Sequence, residues 1–123
     1  MAARILLVDD FQKIRSGVRS LLMSEPMEIC GEAENGREAI ERVRELHPDV
    51  VILDIIMPVM NGIEAAHEIH RIAPSTKIIF FTIEDTPEAA AFAHLVGVDC
   101  LVPKASAGKE LVPTLRRLLQ TEH

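Results

Sequence analysis

Aromatic side chains are almost missing from this chain: four Phe, no Trp and no Tyr among 123 residues. Platforms that stack single-stranded bases are built from such rings, so that class of binding is not expected. Positive charge is also short. Lys plus Arg number 13 against 19 Asp plus Glu, a formal charge of −6 and a pI near 5.3. A phosphate-backbone binder needs a basic face, so direct contact with nucleic acid is not expected. Long apolar runs are absent too. Val50–Met57 is broken by Asp54 and Ile78–Ile83 by Thr82, far below the ~20 residues of a membrane-spanning helix. Cysteine is limited to Cys30 and Cys100, which form neither a metal motif nor a disulfide framework. Met1-Ala-Ala-Arg4 leads directly into a strand-like segment rather than a signal peptide, and the chain reads as cytoplasmic and reduced.

What is present is the composition of a globular protein, 48% hydrophobic and 26% charged, at a length suited to one domain over residues 1–123. No linker or low-complexity stretch divides it. Short apolar runs alternate with amphipathic ones. Strands are predicted over Arg4–Val8, Met27–Ala33, Val50–Leu53, Lys77–Phe81 and Cys100–Val102. Between and after them come helical stripes. Ile14, Val18, Leu21 and Leu22 mark the first, and Ala39, Ile40 and Val43 the second, opened by a capping box at Asn35–Glu38. Asn61–Glu64 repeats that box ahead of Ala66, Ile69 and Ala73. Thr86-Pro87-Glu88 opens a fourth helix with Thr as cap, and Leu111, Leu115, Leu118 and Leu119 stripe the last. Pro113 should kink that last helix or delay its start. Glu38 and Arg42 are spaced as an i, i+4 ion pair.

Five strand–helix units imply an α/β fold with a doubly wound, five-stranded parallel sheet. The strand order 2-1-3-4-5, with about five helices on both faces, is the usual one at this length. Cys30 and Cys100 then fall on opposite edges, too far apart for a disulfide. Ligands in such sheets bind at the carboxyl ends of the strands. At those ends stand Asp9-Asp10, Asp54, Thr82 and Lys104. Either acid of the first pair could serve only as a helix cap, but Asp54 interrupts a strand that would otherwise continue apolar. Three close carboxylates repel one another unless a cation joins them, and an all-oxygen site of this kind suits Mg²⁺. Glu64, His67 and His70 share one helix, but without further ligands they read as a solvated face.

The runs Leu6-Leu-Val-Asp9-Asp10, Val50-Val-Ile-Leu-Asp54-Ile-Ile-Met57-Pro58-Val-Met-Asn-Gly62, Ile79-Phe-Phe-Thr82 and Leu101-Val-Pro-Lys104 together resemble the receiver domain of two-component response regulators. The resemblance covers essentially the whole chain, and it looks most like receivers attached to helix-turn-helix output domains. It implies that Asp54 is the phospho-acceptor, fed by a sensor histidine kinase, a phosphotransfer protein or a small acyl phosphate. It further implies Mg²⁺ held by Asp9, Asp10, Asp54 and the backbone carbonyl of Ile56, with Lys104 and Thr82 contacting the phosphoryl oxygens. Met57-Pro58 and Gly62 would shape the loop beyond the acceptor. Modification would bias a surface of fourth helix, fifth strand and fifth helix, through which a downstream protein, a linked output domain or a second copy would be engaged. Such a domain is a switchable module rather than a conventional enzyme.

The sequence departs from the family in four places. Ala105 follows Lys104 where most receivers have proline after a cis bond, and a cis bond to a non-proline costs about 3–4 kcal/mol. Leu101 replaces the usual aromatic switch residue. Ile83 and Ile56 put bulky apolar side chains beside the acceptor, which predicts slow hydrolysis of the phosphorylated state. Two rivals share parts of this pattern. A degenerate receiver would be a constitutive interaction domain, and an aspartyl-phosphate phosphatase would show Asp-x-Asp-x-Thr after its first strand, which is not found here. The chain closes at Gln120-Thr-Glu-His123, so a free-standing receiver and a piece of a DNA-binding regulator both remain open.

Overall fold

The computed structural model describes residues 2–83, 87–95 and 97–120. Its strands are β1 (Ala3–Val8), β2 (Met27–Ala33), β3 (Val50–Leu53), β4 (Lys77–Thr82) and β5 (Cys100–Pro103). Its helices are α1 (Gln12–Leu22), α2 (Gly36–Leu46), α3 (Gly62–Ile72), α4 (Pro87–Leu95) and α5 (Ala107–Gln120). All strands pair in parallel in the order β2-β1-β3-β4-β5. This is the predicted doubly wound topology. Cys30 and Cys100 are free and lie on the two edge strands.

Strand residues alternate between two cores because successive side chains point to opposite faces. Leu6, Val8, Val51, Leu53, Ile78 and Phe80 pack with Ala39, Ile40 and Val43 of α2, Ala65, Ala66 and Ile69 of α3 and Ala93 of α4. Ile5, Leu7, Val50, Ile52, Ile79 and Phe81 pack with Val18 and Leu22 of α1 and Leu111, Leu115 and Leu118 of α5. The inner strand β3 is buried throughout, which is why it reads as an unbroken apolar run.

The asparagine half of both capping boxes holds, with Asn35 Oδ1 accepting from the Glu38 N–H and Asn61 Oδ1 from the Glu64 N–H, each at 2.9 Å. The Glu38 carboxylate turns back to accept from the Glu34 N–H at 3.1 Å. It is therefore not the partner of Arg42, which instead pairs with Glu45 at 2.8 Å. Thr86, the expected cap of α4, lies outside the described residues, but Pro87 does occupy the first position of that helix. Helix α5 does not start late. It begins at Ala107 and runs through Pro113, which is exposed, so the carbonyl its missing N–H would have bonded is left on the solvent side. Pro103 sits on the edge strand β5, where a lost ladder donor is tolerated. Among the described residues no peptide bond is cis, so Lys104–Ala105 is trans.

Candidate functional site

Parallel register brings the strand ends together. Leu7 and Val8 pair with Ile52 and Leu53, and Leu53 pairs with Phe80, so Asp9, Asp54 and Thr82 emerge at one edge. The Asp54 N–H continues the ladder by donating to the Val8 carbonyl at 3.0 Å, and the Asp9 N–H donates to the Ala33 carbonyl at 3.1 Å. Neither acid caps α1, whose N-cap is Phe11 with no side-chain bond. Asp9 Oδ1 accepts from the Phe11 N–H instead, at 3.0 Å.

Lys104, in the 3-10 turn Lys104–Ser106 after β5, reaches back into the cluster. Its Nζ lies 2.8 Å from Asp9 Oδ2 and 3.2 Å from Asp54 Oδ2. Asp9, Asp10 and Asp54 each bring a carboxylate oxygen within 4.8 Å of the others, the one such acidic or metal-ligating group among the described residues. Glu64, His67 and His70 form no such group. Burial pushes the Asp54 carboxyl above its ordinary range, with Asp9 adding to the effect and Lys104 opposing it. Burial also works to lower the Lys104 ammonium, but the pull of Asp9 and Asp54 outweighs it and holds Lys104 above its ordinary value. One ammonium among three carboxylates leaves the cluster negative. Asp10 Oδ1 is buried with no hydrogen-bond partner among the described residues, and Asp9 Oδ2 is ion-paired without hydrogen-bond alignment. Three clustered carboxylates, one with an unpartnered buried oxygen, fit a hard divalent cation.

Thr82 is fully buried at the end of β4. Ile56 is 58% exposed and Ile83 75% exposed, so both side chains stand in solvent rather than packing beneath the mouth. Leu101 is partly buried against the α2–α3–α4 core. The loop from β3 to α3 is tightly tied. The Gly62 N–H donates to the Ile55 carbonyl at 2.7 Å and the Gly36 N–H to the Met60 carbonyl at 2.9 Å. The Met60 N–H donates back to the Pro58 carbonyl at 2.8 Å across Val59, whose φ is +69°. That is the rarer, strained kind of γ-turn, here carried by a β-branched residue.

One group escaped the sequence reading. Arg15 is buried, and its Nε donates to Glu32 Oε1 at 2.6 Å while Arg19 Nε donates to Glu32 Oε2 at 2.6 Å. The signal was available: Arg15, Val18 and Leu22 are the buried face of α1, so an arginine occupies an i, i+3, i+7 core stripe. Burial works to raise the Glu32 carboxyl, but Arg19 and Arg15 outweigh it and the group is held below its ordinary value. A carboxylate lowered in the fold adds stability above its unfolded value and loses it as pH falls through the folded one. Urea titrations should therefore show Glu32→Gln less stable than wild type at neutral pH, with the gap closing below about pH 4.3. A gap that persists in acid would show that charge is not what Glu32 contributes.

An acid cluster paired with one lysine thus stands at the carboxyl edge of a doubly wound parallel sheet. A sequence profile of the response regulator receiver domain matches residues 5–116, and the chain belongs to that family. It is 41% identical over 124 residues to a protein-glutamate methylesterase/protein-glutamine glutaminase of Methanosarcina acetivorans, covering 94% of this chain and 36% of that protein. It is 34% identical over 125 residues to the response regulator protein VraR of Staphylococcus epidermidis, covering 99% of this chain and 59% of VraR. Among solved structures, a LuxR-family two-component response regulator from Aurantimonas sp. SI85-9A1 superposes with a TM-score of 0.92 at 33% identity, over 98% of this chain and 86% of that one. The chain thus spans less than two thirds of the methylesterase and of VraR. No helix among the described residues is long and apolar enough to cross a membrane.

Proposed function

We propose that Asp54 accepts a phosphoryl group in a Mg²⁺-dependent transfer from a phosphohistidine of a sensor kinase or phosphotransfer protein. The observation that carries this reading is the buried Asp54 carboxylate, 3.2 Å from the Lys104 ammonium and grouped with Asp9 and Asp10, of which Asp10 Oδ1 is buried with no hydrogen-bond partner among the described residues. Asp9, Asp10, Asp54 and the Ile56 carbonyl would hold the ion, which when bound offsets charge on the transferring phosphoryl oxygens. An Asp54 oxygen forms the new O–P bond as the donor's N–P bond breaks. The leaving imidazole keeps the electron pair and takes a proton from solvent. The Lys104 ammonium balances charge on one phosphoryl oxygen, and the Thr82 hydroxyl donates to another. Drawing Thr82 inward would bias the α4–β5–α5 face toward a downstream protein, a linked output domain or a second copy. On this reading residues 1–123 are one cytoplasmic receiver domain that touches no nucleic acid itself. Its chemistry is limited to taking up and releasing its own phosphoryl group.

The test is the intact mass after incubation with acetyl phosphate. Wild type should gain one phosphoryl group only with Mg²⁺ present, and Asp54→Asn should gain none. Following the decay of that mass tests the slow hydrolysis expected of Ile56 and Ile83. No uptake by folded wild type that binds Mg²⁺ would leave a degenerate receiver.

A further inference from the structure

We infer that Arg15 is a positioning residue for the acidic cluster, an inference that rests on the Mg²⁺ reading above. Asp9 and Asp10 lie between the end of β1 and the start of α1, where the sheet ladder has ended and helix bonding has not begun. The Asp9 N–H is held by the Ala33 carbonyl at 3.1 Å. Its carbonyl is held by Arg15, whose NH1 donates to it at 2.5 Å in a buried setting. A side chain on the first turn of a helix leans back toward the N-terminus, which is what lets residue 15 reach residue 9.

The guanidinium is itself fixed from behind. Glu32 accepts from Arg15 Nε with one oxygen and from Arg19 Nε with the other, and Glu34 Oε1 lies 3.8 Å from Arg15 NH2. Two elements therefore lock one rigid fork: α1 supplies it, and β2 with the residue just beyond it supplies the acids. That fork fixes the peptide joining Asp9 to Asp10, and hence the direction in which the Asp10 carboxylate enters the cluster. A lysine has no such planar fork and could not satisfy both Glu32 and the Asp9 carbonyl in the same way. Groups that orient metal ligands without touching the metal commonly govern affinity.

A brace and a mere nearby charge have opposite signatures. Removing a positive charge from beside the cluster would tighten Mg²⁺ binding, whereas removing a brace weakens it. Calorimetric titration of Mg²⁺ into wild type, Arg15→Met and Glu32→Gln, each verified as folded by circular dichroism, reads the difference. Arg15→Met should bind Mg²⁺ about ten-fold more weakly, and Glu32→Gln, which frees one side of the guanidinium, about three-fold more weakly. Unchanged or tighter binding by folded Arg15→Met overturns the inference. If Arg15→Met does not fold, Arg15→Lys, which keeps the charge without the planar fork, decides, and unchanged affinity there overturns it. Failure of wild type to bind Mg²⁺ overturns the reading beneath it as well. Normal wild-type binding with unaltered variants overturns only the role of Arg15.

Discussion

Gly62→Ala is expected to destabilise the protein by about 3 kcal/mol and to abolish phosphoryl uptake. A Cβ at position 62 would stand 2.0 Å from the Asp54 carbonyl oxygen, 2.8 Å from Ile55 Cα and 2.9 Å from the Asp54 carbonyl carbon. All three are backbone atoms, so no rotamer change relieves the clash. Either α3 retreats and loses the 2.7 Å bond from the Gly62 N–H to the Ile55 carbonyl, or Asp54 itself is displaced. The demand is for space rather than for an unusual φ. Gly17→Ala is the natural control, because nothing lies within 4 Å of a Cβ there. It sits inside α1, where alanine should stabilise by about 0.5–1 kcal/mol. Urea midpoints moving in opposite directions would bear this out, and a Gly62→Ala protein as stable as wild type would refute it.

Lys104→Met should cost about 3 kcal/mol in metal-free protein, because it strands two buried carboxylates without their counter-charge. The side chains of Asp9 and Asp54 are only 5% and 6% exposed, so water cannot replace the ammonium. Methionine keeps the length and apolar stem, which confines the change to charge. Asp54→Asn should move stability the other way. The fold raises the Asp54 carboxyl against its ionised form, so a neutral amide removes a penalty while Lys104 keeps Asp9 as its partner. Paired urea titrations with and without Mg²⁺ extend the test. On the Mg²⁺ reading, added ion supplies counter-charge that Lys104→Met has lost, and the deficit shrinks. A deficit indifferent to Mg²⁺ would place the ion elsewhere.

Strand order and the meeting of Asp9, Asp10 and Asp54 with Lys104 were legible because both depend on patterns short in range. Unbroken apolar runs such as Val50–Leu53 report burial on two faces, and a charged residue ending such a run, as Asp54 does, reports a place where burial meets chemistry. Less legible was anything decided by competition between partners. Glu38 was spaced for Arg42, but the free Glu34 N–H at the helix start captured it. Pro113 was expected to kink α5 or delay its start; the helix does not start late, and Leu111, Thr114, Leu115 and Leu118 are buried on either side of the proline. Arg15 sat in view on a core stripe. Its role depends on Asp9 and Glu32, which spacing along the chain does not bring together.

The Val59 turn has a consequence for how the acceptor loop opens. A β-branched residue at φ +69° holds back about 1–3 kcal/mol relative to relaxed backbone, and Val59 is 71% exposed, so little packing opposes its release. The loop is pinned near both ends, at Ile55 by the Gly62 amide and at Met60 by the Gly36 amide, which belong to two different helices. In hydrogen exchange the amides of this segment should therefore lose protection together, ahead of β3 beneath them, as one small cooperative unit. Asp54 is at the junction of that unit with β3, the strand buried along its whole length.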